Sequence, residues 1–429
     1  MVVARGRHHH GRRHGTVANV SDDAHARRNL SLLHAYWFLR EFQLWIPVWI
    51  VYLTIEQGFS LTAVTAAEGL YLAGVVALEV PTGAVADRWG RSRSIALGAF
   101  LLGISILVFA FTTSFAVLLG SFMLWSVAHT LMSGADMALL FDTLKGAGRE
   151  SEYEHIAGRG SALTWTGVGV ATLLGGPVAA IFDIRFTIFI GAATCMVTAL
   201  TVLAIHEPPH ERAGGSREPY LRSIRLAFRE VSATEGLRAV VLLAGVTTAA
   251  LGAVHYLVQP FLIDRGVEVG VWFSLLQVPL FGAGMVGSLY AARIAGRAGA
   301  RQALLAAPVL GGGLCLAIAV LPGQGAYVPL LLVMLVQSMV HPISTGYVNR
   351  RVGSERRATV LSMQGMVYSL VMAAMAPVLG FATDSWGLGV AFSACTGLAV
   401  VALVLFGRPL AMAREPEPAA IPVRAAGDL

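Results

Sequence analysis

Residues 79–93 read EVPTGAVADRWGRSR: two acids, three arginines, a proline and two glycines between two long apolar runs. The chain around them has 429 residues, of which 56% are hydrophobic and only 13% charged. A soluble domain carries about 25% charged residues, and a single soluble core stops growing at about 250–300 residues. The surrounding solvent is therefore read as lipid, and these fifteen residues as a loop at its surface.

Working outward from this loop, a helix needs about 20 apolar residues to cross the hydrocarbon core. Twelve such spans follow one another, at 32–54, 62–86, 94–113, 115–143, 160–182, 185–205, 237–263, 270–293, 302–321, 326–347, 356–382 and 387–407. The one long connection divides them six and six. The predicted organisation is a disordered basic tail at 1–30, a six-helix bundle at 31–205, a linker at 206–236, a second bundle at 237–407 and a tail at 408–429. Within the linker, Leu221, Ile224, Phe228 and Val231 recur at helical spacing opposite Arg222, Arg225 and Arg229. That pattern suits a helix lying on the inner leaflet or a solvated linker helix.

Charge tests this topology independently. With both termini cytoplasmic, 28 of the 31 Lys and Arg residues fall on the cytoplasmic side, two (Arg185 and Arg265) on the other, and Arg40 lies within span 1. Positive charge accumulates inside, and one missed or invented span would scramble the count downstream. The predicted fold class is an all-α membrane protein with twelve transmembrane helices. The basic excess then reflects orientation against anionic lipid, not nucleic acid.

Inside the membrane the polar groups recur with a period of three. Span 1 carries Arg40 and Glu41, span 4 His129 and Asp136, span 7 His255 and Gln259, and span 10 Gln337 and His341. Spans 3, 6, 9 and 12 have no charged side chain in their interiors. A charge at mid-membrane costs about 2.5–3.5 kcal/mol on the insertion scale, so these groups face a cavity lined by the first helix of each three-helix unit. The halves echo each other weakly. Pro177 and Pro377 are 200 positions apart, Asp183 and Asp384 are 201 apart, and Gly90 and Gly299 are 209 apart.

Gly83, Asp87, Arg88, Gly90, Arg91 and Arg93 match G-x-x-x-D-R-x-G-R-x-R, and on this motif the chain resembles the major facilitator superfamily. SGADMALLFDTLK (133–145), NRRVGSERRATVLS (349–362) and the EVPTG lead-in resemble its bacterial drug-exporter-like branch. The resemblance implies a 6+6 bundle and a conformational latch between helices 2 and 3. Argued from chemistry, Gly83 permits close helix approach and Gly90 a tight turn. Asp87 suits the positive end of span 11, with Ser354 as that helix's N-cap. Arg91 or Arg88 pairs with Asp142. The chain departs from the exporter pattern in span 4, where SFMLWSVAHT lacks an early arginine. In span 5, Gly167, Gly175, Gly176 and Pro177 remain of the glycine ladder but Ala179 and Ala180 replace its end.

Arg40, Glu41, Glu79 and Asp136 fall at one depth, roughly 10–13 Å inside the inner face at 1.5 Å per residue. Three acids against one base leave surplus negative charge, so a carboxyl is expected to exchange a proton during transport. Glu41 is the first candidate and Asp136 the second. Glu79 pairs with Arg40 or braces the latch, and Glu68 is a second proton site or snorkels outward. His129 and His255 are relays, substrate contacts or core histidines. Tyr36, Trp37, Phe38, Phe42, Trp45, Trp49, Trp125 and Tyr256 give the expected cavity an aromatic wall, which suits a hydrophobic or amphipathic compound better than a sugar.

The sequence-level expectation is a proton-driven exporter of such compounds in the bacterial inner membrane, with no cofactor beyond the proton gradient, and monomeric. A metabolite importer or a lipid flippase would share the same features. HEPPH (206–210) spells a zinc-protease string, but its prolines forbid the helix that would align the histidines. Among the histidines at the N-terminus, RHHHGRRH reads as a disordered basic arm. Cys195, Cys315 and Cys395 lie far apart in apolar runs and read as buried hydrophobes.

Overall fold

The computed structural model describes residues 15–208, 229, 231 and 235–413, and all the regular structure among them is helical. Eleven of the twelve expected spans are helices long and apolar enough to cross a membrane. Span 1 is the exception. Its helix runs Gly15–Glu41, stops, and resumes as Trp49–Val51 and a π-helical turn, Tyr52–Glu56. Pro47 falls in the gap; it lacks an N–H and clashes with the carbonyl four residues back.

Two further spans that carry polar groups are interrupted at mid-depth. Span 4 divides into Phe115–Met132 and Ala135–Gly146 at Gly134, whose φ of 72° is left-handed. Span 7 divides into Glu235–Gly252 and Val254–Asp264. Breaks at a Pro or a Ser-Gly pair are ordinary causes of helix interruption. Backbone left unpaired at such depth persists only where protein or a cavity satisfies it. By contrast spans 3, 6 and 9, at Arg91–Phe111, Ile184–Leu203 and Ala300–Val320, are each one helix. Span 12 continues to Met412, five residues past its expected end. These four spans present Phe111, Leu200, Val320 and Val404 outward, each more than 60% exposed, as a lipid-facing surface requires.

One expectation at the inner, arginine-rich end is corrected. Residues 15–30 are not a disordered tail but the start of the span 1 helix. Ala26, Leu30, Leu33 and Trp37 recur at 4-3-4 spacing and are all buried, an apolar stripe masked by the surrounding charge. The linker's amphipathic helix lies outside the described residues apart from Arg229 and Val231, and the RHHHGRRH segment lies wholly outside them.

The internal echo survives at the tight turns. Gly90 and Gly299 both close one helix and open the next, with φ of 102° and 86° and ψ of 146° and 136°. The aspartates have diverged. Asp183 accepts a hydrogen bond from Arg185 N (2.7 Å) and caps its own span 6. Asp384 reaches across to span 2, accepting from Leu61 N (3.2 Å) and Thr62 N (2.8 Å).

Candidate functional site

The outer ends of the two halves are joined by side chains that satisfy backbone. Span 1 leaves amides and carbonyls unpaired around Pro47, and two glutamines from the other half supply the partners. Gln259 Oε1 accepts from Ile50 N (3.0 Å) and Val51 N (3.4 Å), while its Nε2 donates to Ile46 O (2.9 Å). Gln277 Nε2 donates to Pro47 O (3.1 Å). Span 5 joins the same seam, where Gly176 N donates to Ser274 Oγ (2.9 Å).

Glycines make this approach possible. A Cβ on Gly69 would stand 2.6 Å from Ala373 O of span 11. One on Gly380 would stand 2.7 Å from Leu61 O of span 2; within the first half, one on Gly167 would stand 2.6 Å from Phe38 O in span 1. At the opposite end of span 2, a Cβ on Gly83 would meet nothing within 4 Å. The close approach expected at Gly83 is therefore not seen among the described residues, and the contacts of spans 2 and 11 through Gly69 and Gly380 lie in their outer halves. The two halves are thus joined closely at their outer ends.

Residues 79–93 are not a loop: span 2 stays helical to Trp89 and span 3 starts at Arg91, leaving Gly90 as the turn, and Arg91 makes its contacts within the first half. Arg91 forms an ion pair with Asp142 and donates to Ala138 O, so of the two arginines it is Arg91 that meets Asp142. Glu207 caps span 3: its Oε1 accepts from Arg91 N (2.7 Å), its Oε2 from Ser92 N (3.0 Å), and Ser92 Oγ also donates to it. This glutamate belongs to the HEPPH string, and its role is that of a helix cap. Beside it, Asn29 Nδ2 donates to His206 O (2.8 Å) and His206 N donates to Asn29 Oδ1 (3.0 Å). Asp87, Arg88 and Arg93 are exposed. Span 11 begins at Ser354 with Gly353 at the cap position, so Ser354 is the first helical residue and not the N-cap.

Between the seam and this turn lies the charged cluster. Arg40 contacts Glu41 Oε1 through Nε (3.2 Å) and Asp136 Oδ2 through a terminal nitrogen (3.5 Å). The same guanidinium donates to Tyr36 Oη at 3.4 Å. Asp136 is also held by Trp37 Nε1 (3.4 Å) and by Met137 N (2.8 Å) in the first turn of the half-helix Ala135–Gly146, whose positive end favours an anion. Asp136 thus has three donors and little exposure. Glu41 has Arg40 and a quarter of its side-chain surface open.

Three of the four groups expected at one depth come together; Glu79 does not. It is exposed on span 2, and Arg40 pairs with the other two acids. Glu68 does not snorkel. It is 8% exposed and accepts from Tyr256 Oη across the halves at 2.9 Å, with Oε2 buried and unpartnered.

The expected aromatic wall is reduced. Tyr36 and Trp45 are buried. Trp45 packs on Phe109 and Trp125 with ring centroids 5.2 and 5.4 Å away, inside the first half, and donates to Gln43 Oε1. Phe42 and Tyr256 remain half-buried and His255 and His341 exposed. His129 sits edge-on to Tyr71 (5.9 Å), and Gln337 is half-buried on span 10. Sequence reasoning did not find Gln277, Asn29 or Glu207; a buried glutamine on span 8 was the available signal for the first.

Two solved structures share this architecture. The nucleoside transporter NupG, in a mutant form, superposes with a TM-score of 0.77 at 16% identity, covering 89% of this chain and all of that one. A bacterial homolog to the human lysosomal transporter Spinster, inward-facing and unoccupied, gives 0.75 at 15% identity, covering 94% of this chain and all of that one. No curated protein matches this chain in sequence. The family model of the Major Facilitator Superfamily matches residues 38–376. With the match spanning most of the chain and the interrupted bundle it encloses, this protein is a secondary transporter of the Major Facilitator Superfamily.

Proposed function

We propose that the protein exports a small hydrophobic or amphipathic organic compound across the bacterial inner membrane in exchange for protons, by alternating access. The observation that carries this reading is the Arg40–Glu41–Asp136 cluster, placed inward of the glutamine seam that joins the halves. Two acids on one guanidinium form a group whose net charge changes with one proton. Glu41 is assigned the exchanging role, since Asp136 is held by donors from two other residues and a helix end. Protonation of Glu41 would free Arg40 to engage Asp136 alone, and a changed contact between spans 1 and 4 can bias which end is open.

Support for an amphipathic substrate comes from Trp49 and Tyr256, which share one pocket with His255, and from Phe42 and Trp125, which are also partly open. The drug-exporter-like motifs in spans 4 and 11 give the direction. A second reading, a proton-coupled importer of a metabolite, is favoured by the missing arginine in span 4 and the truncated glycine ladder of span 5. The fold shared with a nucleoside transporter is compatible with it.

The test is retention of a fluorescent amphipathic cation in cells expressing the wild type or Glu41→Gln, with and without a protonophore. Lower retention in the wild type alone, abolished by the protonophore, is expected. Equal retention in all cells would overturn export of this class and favour import.

A further inference from the structure

Immediately inside the glutamine seam lies a pocket of about 170 Å³. It forms where the unwound part of span 1 meets spans 7 and 8, and its walls include Trp49, His255, Tyr256, Gln277, Leu280 and Phe281. A cavity of about 150 Å³ lined by apolar side chains is enough to hold one benzene ring. The pocket here has room of that order. We propose that this pocket is a ring subsite, receiving a single uncharged six-membered aromatic ring at the leading end of the substrate. The inference rests on reading the chain as a transporter of amphipathic compounds, and it names the part of such a compound that reaches deepest.

Three features of the walls specify the guest. Trp49, Tyr256 and Phe281 supply aromatic surfaces, which favour offset or edge-on stacking with a ring. No Asp, Glu, Lys or Arg lines the pocket, so a charged head would be desolvated there without a counter-ion, at a cost that excludes it. The polar groups that do line it are largely committed. Gln259 spends both amide atoms on span 1 backbone, and Gln277 Nε2 donates to Pro47 O and Phe273 O (both 3.1 Å). Tyr256 Oη is engaged with Glu68. The exposed imidazole of His255 is left to meet a ring substituent.

Position gives the subsite its role. A ring in contact with Trp49 of span 1 and with Tyr256 and Phe281 of spans 7 and 8 touches both halves beneath their joined ends. It therefore touches the groups that separate when the outer side opens. A charged or polar remainder of the substrate would trail inward, on the side of Arg40 and Glu41.

The experiment uses the purified full-length chain and two cations of equal charge, benzyltrimethylammonium and hexyltrimethylammonium, with Kd read from ligand-induced thermal stabilisation. The ringed cation is expected to bind at least tenfold tighter. His255→Trp, a filling change at an exposed position, is expected to remove that preference without lowering the melting temperature of the unliganded protein. Phe281→Ala is expected to transfer the preference to a naphthylmethyl analogue. Equal affinity for the two cations, or a benzyl preference unchanged in both variants, overturns the subsite. The two readings separate cleanly. Proton-driven export of the hexyl cation with no ring preference refutes the subsite and leaves export standing. A ring preference in binding with no cation moved does the reverse.

Discussion

The two ends of this bundle are held by different chemistry. At the outer end neutral side chains bond backbone across the halves: Gln259 and Gln277 on the unwound part of span 1, Ser274 on Gly176 of span 5. At the inner end the charged contacts among the described residues include pairs within the first half, Arg91 on Asp142 and Glu207 on the start of span 3. Asp384 is the outer exception, capping span 2 from span 11. The difference follows from solvent. Charges near water exchange partners at little cost, whereas unpaired amides in the apolar seam each cost about 1–3 kcal/mol. A seam made of directional neutral bonds opens as a unit. An inner end whose charges are already satisfied locally opens without leaving any of those pairs stranded.

The contrast can be broken at the seam first. Gln259→Leu removes the partner of Ile50 N, Val51 N and Ile46 O together. It is expected to shift the population away from the conformation with joined outer ends, with faster hydrogen exchange at Ile50 and Val51 corresponding to about 2–4 kcal/mol of lost protection. Unchanged exchange would show that the seam does not depend on this glutamine.

At the inner end a smaller effect is expected. Arg91→Ala leaves Asp142, 15% exposed, without its guanidinium. The melting temperature should fall, and Asp142→Ala in the same chain should recover part of the loss, with a coupling of about 1–3 kcal/mol. A full sum of the two single effects would mean the pair is not coupled.

The two positive-φ turns sharpen the comparison between halves. Gly90→Ala and Gly299→Ala each force a side chain into backbone that only glycine adopts readily, at about 1–3 kcal/mol. Each Cβ would also meet a side-chain end, Glu207 beside Gly90 and Gln302 beside Gly299; Gly90 is expected to cost more, since Glu207 is fixed by the amides of Arg91 and Ser92 while Gln302 is exposed and can swing away. Equal destabilisation would remove Glu207 from the account.

The smallest effect lies in the loop after span 4. Arg149 donates to both oxygens of Glu152 (2.7 and 2.8 Å) and holds that carboxyl below its ordinary pKa. A depressed folded value means the contribution is present above the unfolded pKa and lost as pH falls through the folded one. Because Glu152 is on the surface, a shift of its titration in Arg149→Ala is the expected readout, with melting temperature near neutral pH almost unchanged.

Much of the fold was legible in the sequence because lipid imposes long apolar runs and places arginine on one side. The period of three also located the polar spans. What sequence patterning could not show was where those spans stop being helical. Pro47 and the Ser133–Gly134 pair were visible, yet each sits in a stretch apolar enough to read as one continuous helix. Pairing across 200 residues was equally hidden. Gln277 lies in an ordinary apolar span, and only the unwinding of span 1 gives its amide a purpose. Arg40, Glu41 and Asp136 were found because depth can be counted along helices. Glu79 failed the same count, because helices at one depth can still point apart.

The account's central claim is that the two ends move reciprocally and that Glu41 links this motion to protons. It is tested most directly by distances between spin labels in one preparation. Cys195, Cys315 and Cys395 are buried, so labels can be confined to introduced cysteines at the exposed positions Ala84 and Ala298 inside, and Ile55 and Val271 outside. On a pH step the inner pair should move opposite in sense to the outer pair, and Glu41→Gln should leave both distributions fixed. Both pairs moving together, or a pH response that persists in Glu41→Gln, would contradict it.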